Sequence, residues 1–149
     1  MTEPQKRPLS AHIQQRTQEW FRKADHELAY LEVSPFEADD PPTDTAGKMA
    51  HMVAEYSLKA YLMLNKKKIE KSHDLIELLD DCIEINSDAT FEDLRSDCQL
   101  LTQYHTDLVY PSGISETISV DEAKTAIEKS RRIRDFVMKK AEELGYHHD

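Results

Sequence analysis

Met49-Ala50-His51-Met52-Val53-Ala54-Glu55-Tyr56-Ser57-Leu58-Lys59-Ala60-Tyr61-Leu62 is the stretch on which the fold turns. Met49, Val53, Tyr56 and Ala60 recur at helical spacing as one apolar stripe, and Ala50, Ala54, Leu58, Tyr61 and Leu62 form a second beside it. A helix that is apolar on more than one side is enclosed by other elements rather than laid on a surface. The spacing therefore predicts a central helix over residues 44–66, with Leu58 in the core and small residues at 50, 54 and 60 admitting close neighbours.

On the N-terminal side, Trp20, Ala24, Leu28 and Leu31 recur at steps of four, four and three, which predicts a first helix from residue 9 or 10 to residue 31 with one buried face. Residues 33–45 hold Pro35, Pro41, Pro42, Asp39, Asp40 and Asp44 and read as an acidic, Pro-rich loop. On the C-terminal side, Ser72 is the expected N-cap of a third helix with Leu75, Leu78, Leu79, Cys82 and Ile83 on its apolar face. Thr90, with Asp93 three residues on, is the expected start of a fourth helix that buries Leu94, Cys98, Leu101, Tyr104 and Leu108. Ser119-Val120-Asp121-Glu122 is a capping box opening a last helix that runs to Gly145, a natural residue just past a helix end. Four to five helices with short connections make an all-α, up-and-down antiparallel bundle. The expected organisation is a single domain over residues 1–149, with residues 1–9 a flexible N-terminus.

Composition removes several alternatives. With only three glycines, Gly47, Gly113 and Gly145, the chain holds no GxGxxG turn, P-loop or GxSxG elbow. The longest unbroken apolar run, residues 60–64, is far short of the roughly 20 residues of a membrane helix, so no membrane association is expected. Residues 1–10 carry no apolar stretch of the secretory kind, and the expected location is the cytoplasm. Cys82 and Cys98 both fall on apolar helical positions, as buried reduced thiols do. A net charge of −10 disfavours nucleic acid as a partner unless a local basic patch exists.

Few residues stand out as chemistry. Glu55 and Lys59 form a favourable i, i+4 helix pair, and Lys59 meets a phosphate only if it faces a groove. His73 and Asp74 belong to a helix entry, where a carboxylate stabilises exposed amides. Tyr104 and Tyr110 flank the end of the fourth helix, either closing the core or stacking a base. Arg131, Arg132, Arg134, Lys139 and Lys140 give the last helix a basic face, read as solvated or as phosphate-contacting. No metal site is expected: no CxxC occurs, and His147-His148-Asp149 reads as a frayed tail with too few ligands for zinc.

Four pieces of the chain, in order, resemble the helical HEPN family, the higher eukaryotes and prokaryotes nucleotide-binding domain. They are Trp20-Phe21-Arg22-Lys23-Ala24-Asp25-His26-Glu27-Leu28, Ala54-Glu55-Tyr56-Ser57-Leu58-Lys59-Ala60-Tyr61-Leu62, His73-Asp74-Leu75 with Leu78-Leu79, and Tyr110-Pro111. The resemblance implies a helical bundle, a homodimer, and action beside a small nucleotidyltransferase or as an RNA-cleaving toxin of a toxin–antitoxin pair; a plain helical scaffold is the remaining alternative. It implies no required cofactor beyond a nucleotide ligand, for which Lys59, His73, Asp74, Tyr104, Tyr110 and Arg131 are the candidate binding residues. The sequence departs from the family's Arg-Tyr-Pro, having Val109 in place of the Arg, and the catalytic members' Arg followed after four to six residues by His is absent from the later helices. No catalytic residue is expected, and the reading leans against an enzyme.

Overall fold

The computed structural model describes residues 9–69, 71–105 and 118–149. Ser10 caps the first helix, α1 (Ala11–Glu32), by accepting from the Ile13 amide at 3.2 Å. A connection of ten residues leads to α2 (Thr43–Leu64), followed by α3 (Leu75–Ile85), a 3-10 helix (Ala89–Leu94), α4 (Arg95–Thr102) and α5 (Val120–Glu143). The expected all-α bundle holds. Helix α2 is its hub: it packs along α1 and α5 and also meets α3 and α4, while α1 and α5 touch one another only lightly. Ala50, Val53, Ala54, Leu58 and Ala60 are fully buried, as the two apolar stripes require. Among the described residues no helix is long and apolar enough to cross a membrane.

Local chemistry moved several boundaries. The N-cap of α3 is Asp74, not Ser72, because its carboxylate accepts from the Ile76 and Glu77 amides at 2.9 and 3.3 Å while the Ser72 hydroxyl is engaged with the Asp74 amide and Glu77. Asp88, not Thr90, opens the next element; its carboxylate holds both the amide and the hydroxyl of Thr90, and the chain first winds as a 3-10 helix before α4 begins at Arg95. The buried face of α1 is Thr17, Phe21, Ala24, Leu28 and Leu31, one residue round from the expected stripe, and Trp20 is only half-buried. The capping box at Ser119 and Glu122 forms as expected.

Three helices end on a left-handed residue with paired reverse hydrogen bonds. Gly145 serves at the end of α5 with φ 103°, and Lys66 (φ 60°) and Ser87 (φ 51°) serve at the ends of α2 and α3. At α2 the Lys67 amide reaches Leu62 O at 2.9 Å and the Lys66 amide reaches Met63 O at 3.0 Å.

The C-terminal residues are not a frayed tail. Tyr146 is 1% exposed and its ring lies 5.3 Å from that of Phe21. The Tyr146 hydroxyl donates to His148 Nδ1 at 2.7 Å, and His148 Nε2 donates to Asp25 at 2.9 Å, a carboxylate already gripped by Arg134. The order of donors follows from Asp25 being an acceptor only. The expected flexible N-terminus falls, but for Leu9, outside the described residues, as do Leu108, Val109, Tyr110 and Pro111.

Candidate functional site

Lys48, His51, Met52, Glu55 and Tyr56 occupy one face of α2 by their three- and four-residue spacing, and this face floors a cleft of about 250 Å³. His73, in the extended approach to α3, supplies one wall; Tyr104 and His105, just past the end of α4, supply the other. Gly47 makes room for the Tyr104 ring, since a Cβ there would stand 3.0 Å from Tyr104 Cγ.

Glu55 organises the polar floor. It is 5% exposed, and one of its oxygens takes Lys59 Nζ at 3.0 Å, while His73 Nδ1 stands 3.0 Å from both. A carboxylate can only accept here, so the His73 proton resides on Nδ1 and Nε2 is left with the exposed part of the ring. The His73 side chain is 59% exposed. His105 stacks on it with ring centroids 5.5 Å apart, and His51 lies 5.1 Å from His105 on the other side. Three imidazoles thus line one recess.

His51 differs from its neighbours in being 2% exposed. Burial lowers its pKa to about 4, only partly offset by Glu55 at 3.8 Å, and the charges of His105 and His73 push it the same way as burial. The imidazole is therefore neutral at pH 7. An unfolded chain takes up this proton near pH 6.5 and the folded one does not, so stability is full above that pH and falls as pH drops towards 4, by about 3 kcal/mol in all. Chemical denaturation of the protein and of His51→Leu across this window checks it: the difference between the two curves should change by that amount, and parallel curves would contradict it.

The six residues expected to bind nucleotide scatter. His73 and Tyr104 line the cleft, but Tyr104 is 6% exposed and closes the core. Lys59 is 4% exposed and held inward between Glu55 and the Trp20 ring, 5.7 Å from its centroid, so it does not open on the groove. Asp74 spends its carboxylate on its own helix, and Arg131 pairs with Glu32 at 3.2 Å on α1. Tyr110 lies outside the described residues. The basic face of α5 is matched rather than open: Arg132 and Lys129 meet Asp97, Arg134 meets Asp25, and Lys140 meets Asp88.

His51 and His105 were not legible as site residues. One signal did exist, since His51, Glu55 and Lys59 stand at successive four-residue steps and form a polar line along an otherwise apolar helix. Among the described residues no group of three His, Cys, Asp or Glu side chains is placed to hold a metal ion.

An all-α bundle whose central helix carries a buried Glu–Lys pair, and whose third helix is entered through a His-Asp-Leu step, defines the class of this domain. The HEPN domain family model matches residues 17–142, and the chain belongs to that family. No curated protein and no solved structure matches it.

Proposed function

We propose that this HEPN domain binds a nucleotide in the α2 cleft, with the phosphate at the His73–His105 rim and the nucleoside against Tyr56 and His51. The observation that carries this is the charge of the recess in a chain of net charge −10. Its lining holds Lys48, three histidines and a single carboxylate, and that carboxylate is already occupied by Lys59 and His73. Lys48 and Lys59 outweigh Glu55 by one positive charge, and protonation of His73 or His105 adds to it. This is the local basic patch that an acidic chain needs in order to hold an anion.

Calorimetry with ATP, ADP and AMP tests the reading. The expected result is binding at pH 6.5, weaker at pH 8, and about tenfold weaker in His73→Ala, the loss of one charge-assisted hydrogen bond. Absence of heat up to millimolar nucleotide would refute it. The homodimer and the small nucleotidyltransferase partner belong to the same proposal; light scattering and mass spectrometry of a tagged preparation from native cells test them.

One observation favours a second reading, RNA cleavage. A histidine oriented by a buried carboxylate, with a second imidazole stacked beside it, suits proton transfer at a ribose hydroxyl. Cleavage of RNA in EDTA that vanishes in His73→Ala would favour it over simple binding.

A further inference from the structure

Three buried side-chain polar atoms among the described residues have no hydrogen-bond partner: Thr17 Oγ1, Thr43 Oγ1 and His51 Nε2. Neither threonine lines the cleft, and His51 does. A buried acceptor left unpaired is costly, and native proteins rarely keep one without a use.

The protonation of His51 follows from its neighbours. The ring is neutral at pH 7 and carries one proton. Its Nδ1 faces Glu55 Oε1 at 3.8 Å, and that negative charge favours the N–H on this side. The groups that face His51 from other elements, His73 before α3 and His105 after α4, are donors or cations when protonated and stabilise no proton on His51. Nε2 is therefore a bare lone pair in the floor of the cleft. It has no use for a phosphate oxygen, which offers another lone pair.

We propose that His51 Nε2 reads the nucleoside part of the ligand, accepting a hydrogen bond from an N–H or O–H donor on its base or ribose. This deepens the nucleotide reading and rests on it. The division of labour follows from position: the exposed His73 and His105 offer donors to the anionic end, and the buried His51 offers an acceptor to the uncharged end. The cleft volume of about 250 Å³ agrees, being below the roughly 300–1,000 Å³ of sites that enclose whole drug-sized ligands. It holds a base or a sugar, with the phosphate left at the rim.

The donor has two sources, a base amino group and a ribose hydroxyl, and the probes separate them. Imidazole nitrogen spectra of the ¹⁵N-labelled protein at pH 7 are recorded with AMP, with inosine monophosphate, which lacks the 6-amino donor, and with 2′-deoxy-AMP, which lacks the 2′-hydroxyl. Calorimetry with the same three compounds compares the protein, His51→Leu and His51→Gln. The expected result is that AMP moves the Nε2 resonance of His51 toward its protonated position. His51→Leu then binds AMP about tenfold more weakly, and His51→Gln, which keeps a side-chain acceptor, recovers part of the loss. The analogue that lacks the donor binds the unsubstituted protein about as weakly as AMP binds His51→Leu. If AMP shifts His73 and His105 while His51 Nε2 stays still, or if His51→Leu binds AMP as well as the unsubstituted protein does, the role of His51 is overturned and nucleotide binding stands. If none of the three compounds binds, nucleotide binding itself is refuted and this role with it. Should His51→Leu not fold, the Nε2 resonance of the unsubstituted protein decides between the first two outcomes.

Discussion

Glu55→Leu is expected to lose about 3–5 kcal/mol of folding stability, because it leaves the Lys59 ammonium 6% exposed with its carboxylate gone. The Trp20 face, 5.7 Å from Nζ, offers a cation–π contact that recovers a part only. His73 loses its Nδ1 acceptor at the same time, so the substitution should also release this ring and weaken nucleotide binding. A buried ion pair is stabilising chiefly in the sense that breaking it is costly, and removing both members is a different experiment. The double variant Glu55→Leu with Lys59→Met should regain most of the stability but none of the binding. Urea denaturation of the two variants checks this. A single variant within 1 kcal/mol of the parent, or a double variant no better than the single, would contradict the assigned pairing.

Tyr146→Ala is expected to lose about 3–5 kcal/mol, the range for deleting a buried aromatic side chain. The ring is 1% exposed against Phe21, and burial raises its phenol pKa, with Asp25 adding to the rise. Tyr146→Phe keeps the ring and removes only the hydroxyl that donates to His148, so about 1 kcal/mol is expected there. Thermal or urea melts of the two variants separate packing from hydrogen bonding. A chain whose last residues frayed would show no change in either, and that result would undo the placement of the tail on α1.

The contrast between these two sites shows what the sequence makes legible. Apolar periodicity is a one-dimensional signal, and it placed α2, the capping box of α5 and the burial of Cys82 and Cys98 correctly. Burial raises the pKa of both thiols, to about 12 for Cys98, which keeps them protonated and inert. The tail failed as a reading because a Gly followed by His-His-Asp lacks periodicity, and its partners Phe21 and Asp25 lie more than a hundred residues away. The ends of α2 and α3 escaped for a different reason, since Lys66 and Ser87 adopt a backbone conformation that glycine usually announces. Within the cleft, Glu55, Lys59 and His73 were all noticed, but their roles were not: the lysine is the counter-ion inside, and the histidine is the group that faces out. No spacing along the chain connects His51, His73 and His105, which meet only because α2, the approach to α3 and the end of α4 converge.

The placement of the ligand tests the account most directly, through a crystal structure of the protein grown with saturating AMP at pH 6.5. The account predicts the phosphate within hydrogen-bond distance of His73 and His105 and a base or ribose donor on His51 Nε2, with Lys59 still on Glu55. AMP seated elsewhere on the protein, with the cleft between α2 and His73 holding only water, would contradict it.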